Sequence, residues 1–138
     1  MSGKTVRDLK VGDAAQFSKT ITEADVVLFA GVTGDLNPAH VDELWAQGSP
    51  FRGRIAHGML TAGLISAVLG MRLPGPGTIY ISQELRFLAP VRIGDTVTAR
   101  VEVEELMEQK NRVRLRTTCL NQDGTQVVDG VAWVMPPR

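Results

Sequence analysis

The sequence predicts an α+β fold in which a curved antiparallel sheet wraps around a single long apolar helix. Three observations lead there. Residues 57–70 form an apolar run without a charged side chain, four segments of alternating character follow it, and another lies near the N-terminus. A chain of 138 residues can bury one real core, and with no repeat, low-complexity tract or long linker it reads as one domain over residues 1–138.

The elements follow in order. Ala14 to Ile21 is the first strand, opened by the turn Val11-Gly12-Asp13. Thr22 stands where a helix N-cap belongs, with Asp25 as its capping-box partner. The helix Glu23 to Ala30 would bury Val26, Val27 and Phe29 and stop at Gly31. After a polar stretch, Asn37 and Pro38 read as N-cap and first residue of a second helix running to about Gln47. Ser49 to Arg54 is loop. The run from His57 to Gly70 is helical, roughly 21 Å long and too short for a bilayer. With no polar face it must be enclosed on nearly all sides. Thr78–Leu88, Thr96–Leu106, Arg112–Leu120 and Gln126–Met135 are strands, with hairpin loops at Glu108–Asn111 and Asn121–Gly124. A sheet wrapped on a helix in this way is the hot-dog arrangement. Its open edge needs a cover, and a two-fold homodimer supplies one.

Composition narrows the function. Lys plus Arg and Asp plus Glu are both 15, so the net charge is zero and the basic excess of a nucleic-acid or anionic-membrane binder is missing. Cys119 is alone, which excludes an internal disulfide or a multi-cysteine metal site and fits a reducing cytoplasm. The first twelve residues hold no apolar signal segment.

Two histidines carry most of the chemical interest. With a helix starting at Pro38, His40 falls in its first turn and Asp35 in the loop before it, so both side chains can converge on one small site. The helix N-terminus disfavours an imidazolium and keeps His40 able to accept a proton. Spacing alone equally allows Asp35 to cap a turn and His40 to pack. Gly58 opens the apolar helix with a free backbone N–H suited to an oxyanion, or serves only close packing. His57, beside an uncharged core, reads as a hydrogen-bonded structural residue. Cys119 reads as inert core, Ser66 lacks a nucleophile-elbow context, and Gly75-Pro76-Gly77 precedes a strand, unlike a dinucleotide loop. Arg52 and Arg54 are loop arginines able to meet phosphates, with a solvated loop charge as the simpler reading. Two histidines without a matched ligand pair give no metal signature.

The run Phe29-Ala30-Gly31-Val32-Thr33-Gly34-Asp35-Leu36-Asn37-Pro38-Ala39-His40, continuing to Ala46, resembles the signature of the MaoC-like (R)-specific enoyl-CoA hydratases, the hydratase 2 family. That signature has an Asp, an Asn-Pro, a His five residues after the Asp and a small residue six further on. Asp35, Asn37, Pro38, His40 and Ala46 match, while Ala39 stands where a larger aliphatic residue is usual. His57-Gly58-Met59, Leu73-Pro74-Gly75 and Phe87-Leu88-Ala89-Pro90-Val91 with Gly94-Asp95 extend the likeness over nearly the whole chain. It is most similar to the short bacterial hydratases that supply polyhydroxyalkanoate synthesis.

The resemblance implies reversible hydration of a trans-2-enoyl-CoA to an (R)-3-hydroxyacyl-CoA, with one water held between Asp35 and His40. Gly58 would meet the thioester oxygen, and Asn37 and His57 would support the site. No metal or redox cofactor is implied, and coenzyme A enters only as part of the substrate. Helical spacing from Gly58 puts Ala62, Ser66 and Leu69 on one stripe, and Val134 resembles the family position facing the same acyl pocket. Leu69 closing that stripe implies chains of about four to six carbons. A hot-dog acyl-CoA thioesterase and a non-catalytic acyl-CoA-binding module are the alternatives.

Overall fold

The computed structural model describes residues 2–138. Strand β1 (Ala14–Thr20) leads into helix α1 (Glu23–Thr33) through a capping box: the Asp25 N–H donates to the Thr22 hydroxyl at 3.2 Å and the Thr22 N–H to the Asp25 carboxylate at 2.9 Å. The Lys19 ammonium, 2.7 Å from that carboxylate, and the Thr22 amide hold Asp25 below the usual carboxylate range. The helix passes the stop expected at Gly31 because Gly34 is the residue that turns left-handed, with φ 82° and its N–H on the Ala30 carbonyl. Val26 and Ala30 are buried, but Val27 is 54% exposed, since one helical step rotates it off the buried face.

The single helix expected from Pro38 is two. Helix α2 (Pro38–Val41) is capped by Asn37, whose side chain accepts the Ala39 N–H. Asp42 then takes an extended backbone and restarts the chain as the N-cap of α3 (Glu43–Gln47), its carboxylate accepting the Trp45 N–H at 3.0 Å. Helix α4 (Gly58–Met71) is the long apolar one.

Strands β2 (Ile79–Phe87), β3 (Thr96–Met107), β4 (Arg112–Leu120) and β5 (Gln126–Met135) complete a wholly antiparallel sheet in the order β1-β3-β4-β5-β2. Strand β2 therefore skips its sequence neighbour and pairs with β5, where Gly130 matters: a Cβ there would lie 1.9 Å from the Glu84 carbonyl oxygen. Register shifts in the β2–β5, β3–β4 and β4–β5 ladders bend the sheet around α4, which packs against all five strands. Ile65, Val68 and Leu69 of the helix belong to one core with Val97, Val101, Leu115 and Val134 of the sheet. Cys119 lies in that core too, and burial pushes its thiol up to about 12.

This is the α+β hot-dog architecture the sequence predicts, with one further correction. The apolar helix is not enclosed on all sides by its own chain: Met59, Gly63 and Ser66 form an exposed face. That face lies beside β2, an edge strand carrying exposed Ile79, Tyr80 and Ile81. Among the described residues, no helix is long and apolar enough to cross a membrane.

Candidate active site

The N-terminus of α4 and the turn between α1 and α2 meet at a cavity of about 470 Å³. Asp35, His40, His57, Gly58 and Thr61 line it together with apolar side chains that include Phe51, Ile55, Phe87 and Leu88. The turn is held by local bonds. The Asp35 N–H donates to Thr33 Oγ1 at 3.1 Å, the Asn37 N–H to Asp35 Oδ1 at 3.2 Å, and the His40 N–H to the Asn37 carbonyl at 2.8 Å. Asn37 thus shapes the loop and its side chain stays on the backbone.

Hydrogen-bond partners settle which nitrogen of each imidazole is free. A carbonyl can only accept, so His40 Nδ1–H donates to the Ile55 carbonyl at 2.8 Å and the lone pair of neutral His40 lies on Nε2. His57 Nε2–H donates to the Asp35 carbonyl at 3.0 Å, leaving Nδ1 as the acceptor. The His57 ring is 2% exposed and stacks on His40, with centroids 3.9 Å apart, while Phe29 packs at 4.7 Å from it. One side chain therefore touches both partners: it holds the backbone of Asp35 and supports the ring of His40. His57 Nδ1 and Thr61 Oγ1 are buried without hydrogen-bond partners among the described residues.

One donor atom from each of Asp35, His40 and His57 lies within 4.8 Å of the others. Two of the three are the stacked imidazoles, their centroids 3.9 Å apart and their planes 27° from parallel, and one nitrogen of each ring is already engaged by a carbonyl. Two groups that each hydrogen-bond to one water at ~2.8 Å, at a tetrahedral angle, stand about 4.6 Å apart, and donor atoms within 4.8 Å of one another are close enough for that.

Gly58 enters this site for a steric reason as well. A Cβ there would lie 2.7 Å from the Phe87 ring, so glycine lets the aromatic wall close over the helix N-terminus. As the first residue of α4, Gly58 has an N–H without an intrahelical acceptor.

The expected acyl stripe does not form one wall of this cavity. Ala62 and Ser66 line a second groove, of about 400 Å³, between α4 and β2; it shares Met59 with the first cavity. Leu69 and Val134 line neither and are buried in the core, 2% and 0% exposed. Residues on one helical stripe share an azimuth, but the sheet covers the far end of this stripe while the near end stays open.

Comparison with known proteins agrees with the geometry. A family model described as MaoC like domain matches residues 9–124. An (R)-specific enoyl-CoA hydratase of Rhodospirillum rubrum is 58% identical over 130 residues, covering 94% of this chain and 90% of that protein. A 3-hydroxybutyryl-CoA dehydratase of Methylorubrum extorquens is 56% identical over 131 residues, covering 95% of this chain and 83% of that one. Among solved structures, the unliganded R-hydratase PhaJ1 of Pseudomonas aeruginosa superposes with a TM-score of 0.94 at 48% identity, covering 99% of this chain and 88% of its own.

Arg54 is a supporting residue that sequence reasoning misses. It is no solvated loop charge: its side chain is 12% exposed and joins two helices, and its backbone reaches a third. Nε–H donates to the His40 carbonyl at 2.6 Å, Nη1 to both oxygens of Glu23 at 2.7 and 2.9 Å, and the backbone N–H to Glu43 Oε2 at 3.3 Å. Two arginines in one loop look alike in sequence, and only tertiary placement separates them. Arg54→Ala will lower the unfolding free energy by about 1.5–3 kcal/mol, the worth of a charge-assisted hydrogen bond. Arg54→Lys will recover less than half of it because an ammonium cannot span the same acceptors. Urea denaturation measures both, and an unchanged midpoint for Arg54→Ala would contradict this role.

Proposed function

The chain belongs to the MaoC-like domain family, and on that footing we propose that it catalyses the reversible hydration of a trans-2-enoyl-CoA to an (R)-3-hydroxyacyl-CoA. The observation that carries this reading is the convergence of Asp35, His40 and the Gly58 N–H on one apolar-walled cavity. The names of the Rhodospirillum and Methylorubrum relatives support the same reaction and, for the latter, a four-carbon acyl group.

In the proposed mechanism Asp35 and the Nε2 of His40 hold one water between them. One member of the pair takes its proton as hydroxide adds to C3, and the pair returns a proton to C2 from the same face, a syn addition. The two groups act as a unit, so the base is assigned to the pair. Negative charge growing on the thioester oxygen is met by the Gly58 N–H, aided by the helix dipole. His57 keeps the pair in register through the Asp35 carbonyl and the His40 ring. The thioester conjugated to the alkene supplies the electrophile, so the mechanism calls for no metal or redox cofactor. Consumption of the product in polyhydroxyalkanoate synthesis is part of this reading, supported by the likeness to an Aeromonas caviae (R)-hydratase involved in PHA biosynthesis.

The acyl chain is assigned to the second groove, past Met59 and over Ala62 and Ser66. Neither Leu69 nor Val134 lines that groove; Leu69 lies one turn beyond its Ser66, and Val134 pairs across the ladder with its Tyr80. A cytoplasmic homodimer is also proposed. The two sheet edges differ: β1 is polar, with Gln16, Ser18 and Lys19, whereas β2 exposes Ile79, Tyr80 and Ile81 beside the small-residue face of α4.

Loss of enoyl-thioester absorbance on mixing with crotonyl-CoA, without thiol release, tests the reaction. Thiol release would indicate a thioesterase, and no turnover a binding module. Asp35→Asn and His40→Ala will each lower turnover by about 10²–10⁴, the usual contribution of a positioned acid or base; either variant retaining a tenth of the activity would refute the assignment. Leu69→Ala will cost ~2–5 kcal/mol of stability and raise kcat/KM for eight-carbon relative to four-carbon enoyl-CoA. A flat ratio would remove Leu69 from the acyl site. Light scattering will report twice the chain mass at micromolar concentration, and the mass of one chain would remove the dimer.

A further inference from the structure

We propose that Arg52 and Arg92 form a phosphate-binding lip at the mouth of the cavity, which grips the phosphorylated carrier of the thioester. The inference rests on the proposed reaction for the thioester and on four observations for the lip.

The first is position. Phe51 and Val91 line the cavity, and Arg52 and Arg92 are the next residues along. The second is proximity. The two segments are stitched together by a bridge between Ile55 and Arg92 and by the Ala56 N–H on the Val91 carbonyl at 2.7 Å. Arg92 Nη1 lies 3.5 Å from the point where a Cβ on Gly53 would stand, so its guanidinium rests on the loop beside Arg52.

The third observation is that these two guanidinium groups are unused. Arg7, Arg54, Arg86, Arg100, Arg114 and Arg116 pair with carboxylates, and Arg72 and Arg112 donate to backbone carbonyls. Among the described residues, the side chains of Arg52, Arg92 and Arg138 have no partner of either kind, all three are exposed, and of these Arg52 and Arg92 adjoin cavity-lining residues. Two carboxylates stand nearby. Glu43 accepts the Arg54 N–H and brings Oε1 to 3.5 Å from the same Gly53 point as Arg92 Nη1, and Asp95 accepts the backbone N–H of Arg92 and the Gln122 amide, but neither forms an ion pair with Arg52 or Arg92. The fourth is that Arg52 is held at φ 59°, in the left-handed region uncommon for a side chain of its size.

A guanidinium fork matches a phosphate in shape and charge, and two forks on one lip suit a phosphate ester or a pyrophosphate. Two carriers share that chemistry, coenzyme A and the phosphopantetheine arm of a carrier protein. Both place a phosphate one pantetheine length from the thioester.

The test compares crotonyl-CoA, crotonyl-phosphopantetheine and crotonyl-pantetheine: the last two differ by one phosphate, and the first adds the phosphorylated adenosine. Arg52→Gly, which suits the left-handed backbone, is combined with Arg92→Ala. The double variant will lower the ratio of kcat/KM for crotonyl-CoA over crotonyl-pantetheine ten- to hundredfold, chiefly through KM. If the ratio for crotonyl-phosphopantetheine falls equally, the lip reads the phosphate shared by both carriers. If it stays level, the lip reads the adenosine phosphates of coenzyme A. An unchanged ratio for crotonyl-CoA would overturn the lip while leaving the hydratase reading intact. A wild-type protein that turns over none of the three would overturn the hydratase reading itself.

Discussion

A helix without a single charge must be covered, and nearly every feature of this molecule follows from how α4 is covered. Five strands bend over it, with ladder irregularities supplying the curvature, and close its inner face with Val, Leu and Ile side chains. Burial fixes the helix firmly, so its first residue, Gly58, presents a backbone N–H at a defined place. The face left bare continues onto an unprotected sheet edge, and the groove between them is where the acyl chain is assigned. Core, candidate site and proposed assembly surface are three sides of one helix.

The second half of the site comes from a different part of the chain. Asp35 and His40 belong to a turn outside the sheet, and the proposed chemistry requires that turn to be in register with α4. His57 supplies the link. It is the N-cap residue of α4, yet its ring contacts Phe29 and His40 and its Nε2 reaches the Asp35 carbonyl. A neutral imidazole does this better than an alkyl or charged side chain. It stacks, it donates once, and it tolerates an uncharged core. Arg54 fastens the same turn from the outer side through the His40 carbonyl.

The strands were legible because alternation and turn residues are local signals, and Arg112–Leu120 and Gln126–Met135 match their expected bounds. Strand order was not, since β2 reaches β5 by a long-range choice that depends on the missing side chain of Gly130. Asp35, His40 and Gly58 stand in short motifs whose backbone context can be read directly. The roles of His57 and Arg54 depend on partners far away in sequence, and nothing local distinguishes Arg54 from Arg52. Thr61 was visible only as a hydroxyl in an apolar helix, one turn beyond His57. The acyl stripe failed for a related reason: helical periodicity says which residues share a face and is silent on what covers each part of it.

The excursion from Glu23 to Arg54 contributes no strand to the sheet. It is moored by Val26 and Ala30 of α1, by the stacked rings and by the Arg54 contacts, while Leu28, Val32, Leu36 and Leu44 remain exposed on its outside. A segment so attached opens at a lower free energy than the sheet and helix beneath it. On the proposed mechanism, heat will therefore silence the Asp35–His40 pair while the β-sheet signal is still native. Inactivation and melting become two separate events, and the first is reversible as long as the sheet survives.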